Sequence, residues 1–65
     1  MTVNGSLIQY LRLEKKLTQA TLAEILGVSK AKLTAVENNL QDPNAATLKR
    51  IADYFGVTVD SLYKK

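Results

Sequence analysis

The sequence contains no cysteine and no histidine. It therefore has no disulfide, no thiolate ligand and no thiol nucleophile, and it lacks the side chain that most often serves as a metal ligand or as a base at neutral pH. The six carboxylates are scattered along the chain and form no acid–base or metal-binding constellation. We therefore expect no enzyme, no catalytic residue, and no metal or other cofactor.

Long hydrophobic runs are also missing. No segment approaches the roughly 18 apolar residues of a membrane span, and no signal-peptide pattern opens the chain. Of the 65 residues, 46% are hydrophobic, which predicts a folded domain rather than a disordered segment. The length allows one small core. We expect a single domain, residues 1–65, in the cytoplasm and without membrane contact.

Basic residues outnumber acidic ones by nine to six, a mild preference for anionic partners. They cluster at the end of a first helix (Arg12, Lys15, Lys16), at the start of a central helix (Lys30, Lys32), within a later helix (Lys49, Arg50) and in a short tail (Lys64, Lys65). A helix dipole disfavours cations at the helix start by roughly 0.3–1 kcal/mol each. Lys30 and Lys32 therefore indicate a binding surface, with an ordinary solvated surface as the alternative.

The segment 19–36 predicts a helix, a tight turn and a second helix. Its first apolar stripe consists of Leu22, Ala23, Ile25 and Leu26. Gly27 follows where a helix end favours positive φ, and Ser29 stands where the next helix needs a capping oxygen. Leu33 and Val36 give the second helix an apolar edge. Because both helices are short and closely joined, they must cross steeply, as in a helix-turn-helix.

The flanking segments predict three more helices and no strand, since no alternating pattern occurs. Asn4 is expected to cap a helix reaching about residue 15, Asn44 a helix over 45–55, and Thr58 a short last helix. We therefore predict an all-α fold of five helices. Tyr10 and Leu13 are expected to widen the buried face of the first helix, with a partner-binding surface as the alternative.

Five residues carry a resemblance to a known family. They are Gln19, Ala23, Gly27, Leu33 and Val36, at the spacing found in lambda- and 434-repressor-like proteins. From about residue 5 to 63 the chain resembles this Cro/cI-type (XRE-type) family of helix-turn-helix domains. The resemblance implies a compact five-helix lambda-repressor-like domain with its motif at about 18–38. It also implies that the helix over 30–38 enters the DNA major groove.

Counting 100° per residue from the inward Leu33 places Ala31 and Ala35 on the outward face of that helix. The expected base contacts are Lys30, Ala31, Thr34 and Ala35. The expected phosphate contacts are Thr18, Gln19, Lys32, Asn38 and Asn44. Lys30 can donate to guanine, whereas the alanine methyls can pack only against thymine methyls.

Two structural roles also follow from the resemblance. Arg12 and Glu37 are expected to form a structural ion pair between the first and third helices. Val59 and Tyr63, near the end of the chain, are candidate dimer contacts, with completion of the core as an equal alternative.

The sequence therefore predicts sequence-specific binding of double-stranded DNA by a small bacterial or phage regulator, a repressor. It would bind a palindromic operator as a homodimer, in the nucleoid and without an evident small-molecule effector. A protein-interaction module on the same scaffold is the alternative. The apolar Ala31, Ala35 and Leu40 favour that alternative, together with Tyr10 and Leu13.

Overall fold

The computed structural model describes residues 2–64, so Lys65 of the predicted basic tail lies outside the described residues. Within this range the chain forms four α-helices. They are α1 (Gly5–Glu14), α2 (Gln19–Leu26), α3 (Lys30–Glu37) and α4 (Ala45–Phe55). The predicted all-α class is confirmed, and no strand occurs among residues 2–64. None of the helices in this range has the length and apolarity needed to cross a membrane.

The prediction of a fifth helix has to be corrected. Asp60–Leu62 forms one turn of 3-10 helix, so the described chain has four α-helices rather than five. The turn stops because Tyr63 adopts an extended conformation and forms an isolated antiparallel bridge with Val3. The backbone N–H of Asn4 donates to the carbonyl of Leu62 at 2.7 Å, which holds the two ends of the fold together.

Each α-helix begins after a residue whose side-chain oxygen accepts a hydrogen bond from a backbone N–H of the first turn. These capping residues are Asn4, Thr18, Ser29 and Asn44. Gly27 ends α2 with φ of 72°, a left-handed conformation that costs glycine little. The local sequence therefore sets most of the helix boundaries.

The core is formed mainly by six side chains with less than 2% exposure. They are Ile8, Leu22, Leu26, Leu33, Ile51 and Leu62. The expected widening of the α1 face is wrong, because Tyr10 and Leu13 are 58% and 56% exposed. Ile25 is also exposed, so the buried stripe of α2 is narrower than predicted.

The start of α1 packs against the end of α3. Gly5 is buried, and a Cβ atom there would overlap the carbonyl oxygen of Val36 and lie 2.8 Å from that of Glu37. The Gly5 N–H donates to Oδ1 of Asn39 at 2.9 Å, and Asn39 itself has a left-handed φ of 61°. This contact ties the C-terminal end of α3 to the body of the domain.

Candidate nucleic-acid interface

The interface centres on the side of α3 that faces away from the core. Leu33 and Val36 are buried, whereas Lys30 and Ala31 are exposed. Thr34 and Ala35, the other two expected base contacts, are half-buried. All four lie on the exposed to half-buried part of the helix, so their side chains are available to a groove of suitable width.

The turn before α3 is held from a third helix. Nη1 of Arg50, on α4, donates to the Leu26 carbonyl at 2.9 Å, which satisfies one of the free carbonyls at the end of α2. Sequence reasoning placed Arg50 only in a basic cluster. The two residues are 24 positions apart, and no local pattern pairs a mid-helix arginine with a distant carbonyl. Arg50 thus ties α4 to the end of α2, just before the turn that leads into α3.

The opposite end of α3 carries a buried ion pair. Nε of Arg12 lies 2.7 Å from Oε2 of Glu37, and Nη2 donates to Oε1 at 3.2 Å. The side chains are 9% and 1% exposed. Nη1 of Arg12 also donates to the Leu17 carbonyl at 2.7 Å. With these contacts the buried charges are both paired and hydrogen-bonded, as burial requires.

This ion pair continues into a chain of hydrogen bonds that reaches the outward surface. Nε2 of Gln19 donates to Oε1 of Glu37 at 3.0 Å, and the Thr34 hydroxyl lies 3.0 Å from Oε1 of Gln19. Gln19 was expected to contact a phosphate. Its side chain is held by these contacts within the protein, and Nε2 keeps a second hydrogen for an external acceptor. No local sequence pattern indicates a link between residues 19 and 34.

Two other expected phosphate contacts act as helix caps. The Thr18 hydroxyl accepts from the Thr21 N–H at 3.1 Å and lies 2.9 Å from the Thr21 hydroxyl. Oδ1 of Asn44 accepts from the Thr47 N–H at 2.8 Å, which leaves its amide hydrogens available. Asn38 is exposed at the end of α3, and Lys32 is half-buried near its start.

The candidate dimer contacts lie near the C-terminal end of the described chain. Val59 and Tyr63 are both half-buried and pack against the core. Their side chains therefore contribute to the core while keeping part of their surface exposed.

A separate exposed contact lies on α1. The Tyr10 hydroxyl donates to Oε1 of Glu14 at 2.6 Å. This hydrogen bond, together with the negative charge of Glu14 and slight desolvation, raises the pKa of Tyr10. The neighbouring Lys15 places its ammonium group 5.6 Å from the centre of the Tyr54 ring.

A small helical domain that carries a helix-turn-helix, with lysines in the first turn of its second motif helix, is typical of the class of DNA-binding domains. Residues 8–62 match the family described as Helix-turn-helix. The chain therefore belongs to this family, in its XRE type, which is a family of DNA-binding regulators. The family resemblance seen in the sequence is confirmed.

Individual relatives agree with that assignment. The transcriptional activator BcrR of Enterococcus faecalis is 44% identical over 55 residues, which are 85% of this chain but 27% of BcrR. The crystal structure of the P22 c2 repressor with a synthetic operator aligns with a TM-score of 0.89 at 26% identity, covering 98% of this chain and 97% of that one. The N-terminal DNA-binding domain of SinR from Bacillus subtilis gives 0.82 at 34% identity, covering 94% and 90%.

Proposed function

We propose that this chain is a transcriptional regulator, a repressor, that binds specific double-stranded DNA with α3 in the major groove. In this proposal residues 1–65 are one DNA-binding domain, and Lys30, Ala31, Thr34 and Ala35 face the base edges. The observation that carries this proposal is that α3 exposes one face to solvent while its C-terminal end is fixed in the core. The similarity to a repressor solved in complex with a synthetic operator supports the binding of double-stranded DNA.

The phosphate contacts follow from the helix starts. The first N–H groups of α2, at Gln19 and Ala20, lie at the positive end of a helix dipole, where an anion is stabilised. Thr18 supports this site by capping the next N–H, and Gln19 can add its second amide hydrogen. Asn44 would contribute its amide group at the start of α4, while Lys32 and Asn38 would contact the backbone beside α3.

Two copies are needed to read a palindromic operator. The Cα trace of the domain extends 27 Å along its longest axis, whereas half-sites one helical turn apart are separated by roughly 34–36 Å. One domain therefore reads one half-site. We propose a homodimer on DNA in which Val59 and Tyr63 use their exposed portions for the contact between copies.

We further propose that the protein works by occupying DNA rather than by catalysis. The sequence has no histidine or cysteine, and its six scattered carboxylates offer no acid–base or metal-binding constellation. We place its action at the nucleoid, where its DNA would be found, and assign it no effector molecule.

The test is selection of binding sites from a random duplex library at near-physiological salt. We expect enrichment of an inverted repeat whose half-sites are about one helical turn apart. Ala31→Glu should abolish the enrichment, because it places a negative charge on the outward surface of α3. Gln9→Glu adds the same charge at an exposed position of α1 and should leave the enrichment unchanged. Weak and non-selective binding by the natural chain would overturn the proposal.

A second candidate function is protein interaction on the same scaffold. The observation that favours it is the exposure of Tyr10, Leu13 and Leu40, the last at 80%. Salt dependence separates the two functions, since each neutralised phosphate contributes about −0.9 to the logarithmic salt slope. Binding to random duplex that does not weaken with salt would favour the interaction module.

A further inference from the structure

The hydrogen of the Thr34 hydroxyl is committed to acceptors inside the protein. It lies 3.0 Å from Oε1 of Gln19 and 3.0 Å from the carbonyl oxygen of Lys30. Both partners are acceptors, and a hydroxyl has a single hydrogen. Thr34 therefore has no hydrogen left to donate to a base.

The orientation of Gln19 follows from its neighbour. The Glu37 carboxylate, paired with Arg12, can only accept hydrogen bonds, so the Gln19 amide must turn its nitrogen toward Glu37. The amide oxygen is then left for Thr34. Because Glu37 is buried and held by two bonds from Arg12, this orientation is fixed from the core outward.

The same contacts limit where the Thr34 methyl group can point. With Oγ1 turned back toward the Lys30 carbonyl, Cγ2 must occupy another branch of the same Cβ. The neighbouring outward residues, Ala31 and Ala35, also end in methyl groups. We call these three side chains the methyl surface. Along α3, the side chains nearest to the methyl surface that could donate to a base are Lys30, Lys32 and Asn38.

We infer that the methyl surface reads the 5-methyl group of a pyrimidine, thymine in ordinary DNA, and that Thr34 contributes its methyl group rather than its hydroxyl. The inference rests on the proposed function. Thymine is the base that carries a methyl group in the major groove, whereas guanine and adenine there require polar partners. Thr34 is thus a specificity-determining residue, and Gln19 is its positioning residue.

The first experiment replaces thymines of the selected operator half-site, one at a time, by deoxyuridine. This substitution removes the methyl group and leaves the hydrogen-bonding groups unchanged. We expect binding, measured by fluorescence anisotropy, to weaken about fourfold wherever the removed methyl group packed against α3. A selected half-site without thymine, or binding indifferent to every replacement, would overturn the inference.

The second experiment combines these duplexes with two variants of Thr34. Thr34→Val keeps a methyl group and removes the hydroxyl, so it should bind as the natural chain does and remain sensitive to deoxyuridine. Thr34→Ser keeps the hydroxyl and removes the methyl. It should bind about fourfold more weakly and lose its sensitivity at one thymine. Thr58→Ser makes the same atomic change near the C-terminal turn and should alter neither property.

The outcomes separate this inference from the proposed function. If the natural chain selects no duplex, the proposed function fails and the inference fails with it. If it selects a site but Thr34→Val loses binding while Thr34→Ser keeps it, the hydroxyl is the contacting group and only the inference is wrong. Thermal unfolding followed by circular dichroism verifies that each variant is folded at the assay temperature.

Discussion

The two ends of α3 differ sharply in their surroundings. At the C-terminal end, Glu37 is buried against Arg12 and Gln19, and Gly5 packs on the adjacent backbone. At the N-terminal end, Lys30 and Ala31 are exposed, and the backbone is held mainly by the Ser29 cap. Stabilising contacts are therefore concentrated at one end of the helix, and the proposed DNA-reading surface begins at the other. Such a division allows the reading residues to vary without loss of the fold.

The largest expected effect comes from breaking the buried end. Glu37→Ala should lower the free energy of unfolding by roughly 3–5 kcal/mol, because it leaves the Arg12 charge buried without its partner. Urea denaturation followed by circular dichroism measures this change. If the loss were below about 1 kcal/mol, the ion pair would not hold α3 in place.

Two controls test the cause. Asp53→Ala removes a carboxylate from the exposed pair with Lys49, whose side chains are 73% and 69% exposed, and should cost at most about 0.5 kcal/mol. The double variant with Arg12→Met and Glu37→Leu should be more stable than Glu37→Ala alone, because no unpaired charge remains in the core.

A smaller loss is expected when the packing, rather than the charge, of the same end is disturbed. Gly5→Ala should lower the free energy of unfolding by about 2–3 kcal/mol, since the new Cβ meets backbone that cannot move independently. Ser6→Ala, at the next and exposed position, should stay within about 0.5 kcal/mol. Equal unfolding midpoints for the two variants would show that the backbone at the end of α3 accommodates the new Cβ and would contradict this prediction.

Changes at the open end should affect binding and leave the fold intact. Lys30→Ala should reduce discrimination at one base pair per half-site by roughly 1–3 kcal/mol.

Lys32→Ala should weaken binding to all duplexes alike and reduce the salt slope by about 0.9. Both are measured by titrating matched and altered duplexes at several salt concentrations, with Lys49→Ala on α4 as a control. Neither variant should unfold more easily, because each removes a cation from a helix start.

The smallest effect is expected outside this comparison, on the surface of α1. The pKa of Tyr10 is raised by its bond to Glu14, so the folded protein holds the phenol proton more tightly than the unfolded chain does. The resulting stabilisation is present below the ordinary tyrosine pKa and is lost as the pH rises through the raised value. Phenolate absorbance titration of the natural chain and of Tyr10→Phe should locate this late-titrating group. A Tyr10 that ionises with the same pKa as in the unfolded chain would contradict it.

Much of the fold could be predicted because its signals are local. A capping residue lies three positions from the N–H that it satisfies, as Asn4, Thr18 and Asn44 show. Gly27 ends α2 through its own backbone conformation. The interior side of α3 was also predictable, since Leu33 and Val36 share a helical face.

The last helix and the α1 surface were mispredicted because they depend on distant parts of the chain. Tyr63 leaves the helical conformation to pair with Val3, near the opposite end of the sequence. Tyr10 and Leu13 have the composition of buried residues, but no element of the described chain covers them. Apolar character alone does not show which faces of a helix are covered in the folded domain.

The sequence by itself determined about where the four α-helices begin and end, the helix-turn-helix, and which residues of α3 face outward. These depend on backbone conformation and helical period, which act over a few residues. The tertiary structure decided that Arg50 reaches the Leu26 carbonyl and that Gly5 lies under Val36. It also decided that Thr34 turns its hydroxyl inward to Gln19. Each of these joins residues far apart in the chain, whose atoms meet only when the core has set the distances between the helices.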